Sequence, residues 1–515
     1  MRIKQVLIVL SIVIFCSVVS YRLGVLAQIT GTLKSIVEPG SMVTEASYII
    51  FTDGNGNYYA RNGMTGEIEF SGTVPRTVIQ SAIDSLTNGG KILFKAGTYP
   101  INGIITIGKV TLQPPDTAYQ VGISFKSESY CVAHLDFGAN SGFNITYNSE
   151  DGQLEGVTFE DFEFDGQSGT ADWAIRSDMG NNTRLRSFVF HHNRALNFGY
   201  YTLDMTNLEQ SYITDNVMGG RTNTKALIRI KDNEYEVGNL YIKDNDFVGT
   251  GTSGAQVLFE TRISRNKEGI GLTKLRGNHH LGNNGGLDWA IKCIALEQTP
   301  DRNFSVTNIE ITGSHFENIN GINCTGYSVG GNASSIKYLN IHDNTQSVQS
   351  NGMYFILFDS YTKNSDVHSN RIYGSSLSYT FASDSQSSTS EYNRYYDNII
   401  GVTTPINLAG RYTLWQRNMG ALLGAKTSNQ FTISRISFNG TGGATAGTNY
   451  TVYNSGIFLT CSDTTDTITV TILDSYSNFV ANVTTPVNAL YVPYLWKVRF
   501  NSYVPDTINI AWAWS

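Results

Sequence analysis

Cysteine and clustered positive charge are both scarce in this sequence, and their scarcity excludes several classes of protein. The 515 residues include five cysteines, of which Cys16 lies in an apolar N-terminal run. The other four are too few for a disulfide scaffold, and none forms a CxxC pair of the kind that binds zinc. Lys and Arg total 36 against 43 Asp and Glu and form no basic stripe, which argues against a nucleic-acid partner.

Charged residues and proline are also few. Charged residues make up 15% of the chain and Pro occurs at 10 positions, whereas Gly (50) and Tyr (29) are abundant. Helical proteins are rich in Lys, Glu, Ala and Leu, and this sequence is comparatively poor in that set of residues. The dominance of small polar and β-branched residues predicts strands broken by tight turns.

The first 27 residues have the pattern of an export signal. Arg2 and Lys4 precede an apolar run from Val6 to Val19, and Val25-Leu26-Ala27 supplies small residues for a signal peptidase. Because Tyr21-Arg22 interrupts the approach to that site, an uncleaved membrane anchor stays open as the alternative. Both alternatives predict a secreted or cell-surface protein that meets the membrane only through this segment. Eight sequons would permit glycosylation there, at Asn144, Asn181, Asn303, Asn323, Asn332, Asn439, Asn449 and Asn482.

A motif of alternating apolar residues, a short polar step and an Asn recurs along the middle of the chain. The spacings between successive markers are 23, 29, 33, 37, 29, 26 and 28 residues. Hairpins of a β-sandwich would repeat every 8 to 12 residues or so, and the longer spacing therefore predicts the coils of a solenoid. The markers are Asn193, Asn216, Asn245, Asn278, His315 standing in for Asn, Asn344, Asn370 and Asn398.

The chemistry of Asn accounts for its place in the motif. Asn tolerates the left-handed backbone that a sharp corner requires, and amides of stacked coils can bond to one another in a ladder. The alternation before it directs Ile, Val or Tyr inward and Thr, Lys or His outward. The pairs His191-His192 and His279-His280 lie beside markers and are predicted to stack at the corners rather than to bind metal.

Two segments ahead of the first marker carry a family resemblance. A run with helical spacing at residues 77–86 is followed by Gly89-Gly90-Lys91-Ile92-Leu93-Phe94-Lys95-Ala96-Gly97-Thr98-Tyr99. This resembles the opening of pectate-lyase-superfamily β-helices, in which a short helix caps the solenoid and a GG-x-ϕ-x-ϕ-x-x-G-x-Tyr strand begins the first coil. Leu154 to Gln167 resembles another coil segment of that family.

The resemblance implies an all-β chain whose body, residues 75–422, is a right-handed parallel β-helix with an N-terminal cap helix. Residues 44–72 are predicted to form a small β-meander. A meander ahead of the cap helix resembles the arrangement in some archaeal surface β-helix proteins. After about Gly424 the marker stops, and short alternating runs predict a C-terminal β-sandwich at residues 425–515. The fold itself hosts lyases, hydrolases, epimerases, phage tailspikes and non-catalytic surface proteins, so it does not decide the function.

The resemblance also implies where chemistry would lie, since enzymes of this superfamily bind substrate along one parallel sheet. The corresponding strand here, about 11 to 18 residues before each marker, carries mixed charges at its outward positions. The same register places Cys293 and Cys324 inward on neighbouring coils, as free thiols or as one disulfide. The candidate catalytic residues are Arg176, Arg229, Lys231 and Glu260, and the candidate substrate-binding residues are Asp178, Asp204, Arg262, Lys292 and Glu297.

Two reactions could use this stripe of charge. A lyase needs an Arg or Lys base, often with calcium to neutralise a uronate carboxylate, and a hydrolase needs paired carboxylates. Arg229-Ile230-Lys231 matches a tripeptide of polygalacturonases, but the other motifs of that family are absent, so its activity is not expected. No cofactor is required. Calcium is left open, although the acidic run Glu160-Asp161-Glu163-Asp165 is predicted to be a solvent-facing turn.

Three functions remain open at this stage. The first is an extracellular protein that binds polysaccharide or mediates adhesion, and the second is a polysaccharide lyase or related enzyme acting on an acidic glycan. The third is a tailspike-like viral protein, against which the export signal argues. Opposite charges on a solvated sheet face would explain the stripe without any site. A glycan is the expected partner, and the sequence leaves open whether the chain is a monomer or a homotrimer.

Overall fold

The structure is a computed structural model of the full chain. The signal or anchor predicted at residues 1–27 lies outside the described residues. Within the part of the chain that the structure describes, no helix is both long and apolar enough to cross a membrane. The described residues are 46–86, 89–108, 119–120, 122–147, 153–180, 183–221, 223–232, 237–249, 254–261, 269–282, 288–295, 305–329, 332–348, 353–374, 380–384, 389–401, 406–407, 414–416, 419–420 and the C-terminal strands given below.

The described chain begins with a meander and a cap helix. Strands Tyr48–Thr52, Tyr58–Asn62 and Ile68–Gly72 pair antiparallel, and the first of them also pairs in parallel with the opening strand of the solenoid. Helix Pro75–Asp84 starts at a proline, whose missing N–H costs nothing in the first turn. The helix buries Val78 and Ile79 with their neighbours, so the meander and helix belong to the same core as the coils.

Three long parallel sheets, named here sheets A, B and C, form the body. Beyond the meander, sheet A contains Gly90–Phe94, Ile123–Ser127, Thr158–Glu160, Val189–His191, Tyr212–Thr214, Leu240–Lys243, Thr273–Arg276, Ile309–Thr312, Asn340–His342, Asp366–His368, Arg394–Tyr396 and Leu414–Gln416. Sheet B contains Gly97–Ile101, Ala133–Phe137, Glu163–Asp165, Arg194–Phe198, Val217–Gly220, Asp246–Val248, His279–Leu281, His315–Glu317, Thr345–Val348, Arg371–Gly374, Ile399–Gly401 and Met419–Gly420. Sheet C contains Ile104–Ile107, Gly142–Tyr147, Trp173–Met179, Tyr201–Thr206, Ala226–Lys231, Ala255–Thr261, Trp289–Ala295, Asn320–Val329, Tyr354–Ser360, Thr380–Asp384 and Ile406–Asn407.

Shorter strands complete the described structure. Between sheets C and A lie Tyr119–Gln120, Gln153–Glu155, Arg184–Arg186 and Leu208–Glu209, then Ser305–Thr307, Asn332–Lys337 and Thr362–Lys363; a 3₁₀ turn spans Gln167–Gly169. Two antiparallel C-terminal sheets follow, one of Asn449–Thr451, Lys497–Phe500, Thr469–Leu473 and Phe479–Thr484, the other of Val487–Val492, Ile457–Cys461 and Asn509–Ala511.

The order C, A, B repeats in every coil, and each strand pairs in parallel with its equivalent one coil away. Crossovers of this kind are right-handed. The predicted fold class, a right-handed parallel β-helix, is confirmed.

Stacked inward side chains fill the solenoid. Phe125 and Phe159, on neighbouring coils, stack with ring centroids 4.8 Å apart, a distance close to the spacing of paired strands. Cys293 and Cys324 are register partners, are buried, and are free thiols. The disulfide alternative is therefore wrong in this structure, and burial raises the pKa of Cys324.

The predicted asparagine ladder runs along the corner between sheets A and B. The side-chain oxygen of Asn245 accepts from the backbone N–H of Asn216 at 3.1 Å and from its amide at 2.9 Å. The amide of Asn245 donates in turn to Ile213 O at 2.9 Å and to the Asn278 side-chain oxygen at 3.0 Å. Similar bonds join Asn193 to Asn216, and Asn344 through Asn370 to Asn398.

Two details of the ladder differ from the sequence prediction. The left-handed residue is not Asn itself but the one before it, for example Asp215 (φ 58°) and Asp244 (φ 54°), and Asn faces inward. In the coil where His315 was taken as the marker, Ser314 holds the position, and its N–H donates to the Asn344 side-chain oxygen at 3.0 Å. His315 instead begins the strand of sheet B, one residue later, with its side chain outward.

Removing one ladder amide should destabilise the solenoid measurably. Asn245→Ala deletes four side-chain hydrogen bonds and leaves buried polar groups without partners, at a cost of about 3 kcal/mol or more. The free energy of unfolding in urea measures the loss. The exposed Asn55→Ala is the control and should change it by less than about 0.5 kcal/mol; equal effects of the two variants would contradict a stabilising ladder.

Candidate functional site

The charged stripe predicted on sheet C exists as a column of register partners. Arg176 lies beside Asp204, and Asp204 lies beside Arg229, on three successive coils. A second column places Lys231 beside Glu260. The inward neighbours of these residues, such as Ile228 and Ile230, belong to the core, so the charges lie on the outer face of the sheet.

Four of the predicted residues form one cluster around Arg229. Two nitrogens of its guanidinium donate to the two carboxylate oxygens of Asp204, at 2.9 and 2.8 Å. A third nitrogen lies 4.0 Å from a carboxylate oxygen of Glu260. Lys231 Nζ is 3.3 Å from Asp204 Oδ1, the oxygen that also accepts from Arg229 Nε. The guanidinium also lies over the ring of Tyr201, 4.0 Å from its centroid. The side chains of Asp204 and Arg229 are only 5% and 12% exposed, so the cluster is largely shielded from solvent.

Burial and charge act in opposite directions on the ionisation of this cluster. Burial by itself raises the pKa of Asp204, but the hydrogen bonds from Arg229 and the positive charge of Lys231 outweigh it, and the pKa is lowered. Burial lowers the pKa of Lys231, and the nearby Arg229 adds to this effect while Asp204 opposes it. An aspartate with a lowered pKa does not suit the general acid of a hydrolase, whereas a lysine with a lowered pKa suits a base.

The remaining predicted residues are two exposed residues, one half-buried residue and two that lie outside the described part of the chain. Arg176 is 40% exposed and lies 3.8 Å from Asp178, which is 62% exposed, and the pair extends the stripe by one coil. Lys292 lies in the same column as Arg229, two coils further along. Burial lowers the pKa of Lys292, and the negative charge of Asp288 partly opposes this effect. Arg262 and Glu297 lie outside the described residues.

The acidic run near residue 160 is engaged by basic side chains. Lys126 contacts Glu160 at 2.6 Å and Asp161 at 3.3 Å, and Arg194 contacts Glu163 at 3.2 Å. These ion pairs join neighbouring coils. The acidic run is therefore part of an outer face that basic side chains stabilise.

An open groove on sheet A was not predicted from the sequence. It has a volume of about 730 Å³ and lies where the chain turns into sheet A in three successive coils. It is lined by Tyr338, Leu339, Asn340, Asn364, Asp366, His368, Tyr392, Arg394 and Tyr396.

Two exposed tyrosines form the walls of this groove. Tyr338 and Tyr392 are 53% and 50% exposed and lie two coils apart, with the smaller Asn364 at the equivalent position between them. Two steps of about 4.8 Å along the solenoid therefore separate their backbone positions. Both tyrosines have left-handed backbones, with φ of 55° and 57°, a conformation that is strained for a bulky residue.

The floor of the groove combines stacked rings with a charged pair. His368 stacks between His342 and Tyr396, with centroid distances of 5.0 and 4.7 Å and nearly parallel planes. Burial and the neighbouring His342 lower the pKa of His368, which keeps it neutral at neutral pH. Asp366 and Arg394, on adjacent coils, form a bidentate ion pair beside these rings.

A signal for the groove was present in the repeat. The residue two before the marker is His342, His368 and Tyr396 in three consecutive coils, so an aromatic column on the outer face of sheet A was visible in the sequence. The wall tyrosines could not be found in that way, because the corner that holds them has no constant residue type: it is Gln210, Asn239, Leu272 and Asn308 in other coils.

Comparisons with known proteins show likeness in structure only. No protein-family model matches the sequence, and no curated protein matches it. The ORF18 protein of Geobacillus virus E2 is similar over 86% of this chain and 85% of its own, with a TM-score of 0.50 and 11% identity. A double mutant of the tailspike protein of E. coli bacteriophage HK620 covers 85% of this chain and 88% of its own, at TM-score 0.44 and 10% identity. The A-module of the Azotobacter vinelandii mannuronan C-5 epimerase AlgE6 covers 67% and 95%, at TM-score 0.37 and 13% identity. At such identities the likeness concerns the fold alone.

The Arg229 cluster should contribute far more to stability than its exposed neighbour does. Arg229→Ala leaves the Asp204 carboxylate buried without its main partner, and we expect a loss of about 3 kcal/mol in the free energy of unfolding. Arg176→Ala, in the same column, breaks only an exposed pair and should cost less than about 1 kcal/mol. Urea unfolding of both variants measures the difference. Similar losses would contradict the buried-pair account.

Proposed function

We infer that this chain is a carbohydrate-binding β-helix protein and that the sheet A groove holds a segment of polysaccharide. The observation that carries this inference is the pair of exposed tyrosines, Tyr338 and Tyr392, on either side of a groove floored by stacked rings. Sugar rings have apolar faces that stack on aromatic side chains and hydroxyl edges that bond to polar groups, and the groove offers both.

The polar groups of the groove fit hydroxyls better than they fit a charged sugar. Asp366 neutralises Arg394 through a bidentate pair, and His368 is neutral at neutral pH. Asn340 and Asn364 add amide groups that can donate and accept. With no uncompensated positive charge among these groups, the groove favours a neutral glycan.

Backbone strain gives no structural reason for tyrosine at these two positions, but it does not itself mark a binding site, because Leu272 has the same left-handed backbone outside the groove. A left-handed conformation costs a bulky residue about 1 kcal/mol or more, and the equivalent corners of other coils hold Asn239 and Asn308, which tolerate it better. Tyrosine at this corner therefore does not serve stability.

The place of action that we propose is outside the cell. Arg2 and Lys4 followed by the apolar run to Val19 support export. A rigid solenoid with a glycan-binding groove would suit a secreted or cell-surface protein that binds or adheres to polysaccharide.

Replacing a wall tyrosine should separate binding from stability. Tyr392→Asn removes one stacking face, and we expect the dissociation constant for a neutral polysaccharide to rise about tenfold. Stability should be unchanged or greater by about 1 kcal/mol, because Asn relieves the backbone strain. Affinity electrophoresis in gels that contain soluble glucans, galactomannans or uronate polymers measures binding, and thermal unfolding measures stability.

The matched control is Leu272→Asn. Leu272 occupies the same corner with φ 47° and is 53% exposed, but it does not line the groove, so the substitution relieves similar strain without removing a wall. Binding should not change. The groove would be ruled out as the binding site if both variants bound as the native protein does, or if both lost binding equally.

A second candidate function, polysaccharide lyase, is favoured by one observation on sheet C. Lys231 has a lowered pKa and lies beside Arg229, an arrangement that suits a base and a cation for a uronate substrate. In such a β-elimination the base takes the C5 proton, a C4–C5 double bond forms, the C4–O bond breaks, and the leaving oxygen takes up a proton. Calcium could assist by neutralising the uronate carboxylate.

The lyase function predicts an ultraviolet-absorbing unsaturated product from a uronate polymer, tested with and without calcium. Lys231→Met should lower its rate of formation by about 100-fold or more, because the base is lost. Lys274→Met, on the outer face of sheet A, is the control and should leave the rate unchanged. If the native protein releases no product from any uronate polymer, the chain is not a lyase of this kind.

A further inference from the structure

A cluster on the outer face of sheet B brings two histidines and a glutamate together. His279 and His315 are register partners on neighbouring coils, and their rings stack with centroids 5.5 Å apart. Glu317 follows His315 by two residues on the same face, and its carboxylate lies 3.5 Å from His279 Nε2. One ligand atom from each of the three side chains lies within 4.8 Å of the others.

Each of the two histidines has a hydrogen-bond partner at Nδ1. Asp246 Oδ1 lies 3.0 Å from His279 Nδ1, and Thr345 Oγ1 lies 2.7 Å from His315 Nδ1. The Asp246 carboxylate accepts at His279 Nδ1, which keeps the proton of His279 there and leaves its Nε2 as the atom that can bind a metal. This is the arrangement by which carboxylates and hydroxyls orient histidine ligands in metal sites.

The other stacked histidine pair in the described chain lacks this arrangement. On sheet A, His342 has Asp343 at Nδ1 and Glu310 at Nε2, at 2.7 and 3.2 Å. His368 has Ser369 at Nδ1 and Asn340 at Nε2, at 3.2 and 3.1 Å. Glu310 at Nε2 of His342 parallels Glu317 at Nε2 of His279, but the described residues around the sheet A pair do not bring three ligand atoms within 4.8 Å of one another. Stacking alone therefore does not create a metal site.

We propose that His279, His315 and Glu317 form a site for a divalent transition metal such as Zn²⁺, outside both surfaces discussed above. Two imidazoles and one carboxylate are a ligand set that suits Zn²⁺ and its neighbours rather than Ca²⁺ or Mg²⁺, which prefer oxygen. Ligand atoms of a tetrahedral zinc site lie about 3.3 Å apart, so small side-chain rotations would close the cluster around an ion. All three residues are half-buried, which leaves a fourth position open to water or to a ligand.

The proposal is tested by titrating the metal-free full-length protein with Co²⁺, whose visible absorption reports coordination, and with Zn²⁺ by calorimetry. We expect one equivalent to bind. His315→Gln and Glu317→Gln should each weaken binding by at least tenfold, and Asp246→Asn, which alters the partner of His279 Nδ1, should weaken it by about tenfold. Ca²⁺ should not compete.

His342→Gln is the matched control, since it alters a stacked histidine that the site does not include. Its Co²⁺ affinity should equal that of the native protein, and circular dichroism of every variant reports whether the solenoid is intact. The proposal is overturned if the native protein binds no Co²⁺ or Zn²⁺. It is equally overturned if a folded His315→Gln variant binds as tightly as the control, which would locate the metal elsewhere.

Discussion

The buried amide column at the corner between sheets A and B is the interaction on which the rest of this structure depends. A coil of a β-helix cannot bury its own apolar face, and it is stable only when it is stacked in register on its neighbours. Within the ladder the Asn side chains bond from one coil to the next, for example Asn245 to Asn216 and to Asn278. An Asn out of register would leave buried donors and acceptors unpaired, so the ladder selects a single stacking.

A single stacking has consequences on all three outer faces. Because strands pair residue for residue, chemically related side chains at equivalent positions form columns about 4.8 Å apart. The rings of His342, His368 and Tyr396 stack on one another. Arg229 forms an ion pair with Asp204, and the ring of His279 stacks on that of His315. Each surface discussed above is a product of register rather than of any local motif, which is why none resembles a short sequence signature.

This dependence explains how much could be predicted from the sequence. The marker spacing and the alternation before it were enough for the fold class, the ladder and the inward Cys293 and Cys324, because they follow from local chemistry repeated in every coil. The register partner of His279 could not be predicted, because Ser314 and not His315 holds the marker position. This shift of one residue places the side chain of His315 on the outer face of the sheet instead of the inner face. The groove was missed for a related reason: Tyr338 and Tyr392 lie at a corner where neither core packing nor the ladder restricts the residue type.

The two kinds of corner therefore differ in what sequence change they permit. The Asn corner is buried, and its amides stabilise the solenoid, so variation there is costly. At the corner before sheet A the left-handed residue points outward, and Ser187, Gln210, Leu272 and Tyr338 occupy it in different coils at the same backbone angle within about 10°. Exposed side chains can change there, coil by coil, without disturbing the core. A solenoid built in this way can carry a tyrosine-walled groove on one sheet, a histidine cluster on the next and a charged stripe on the third, each independent of the others.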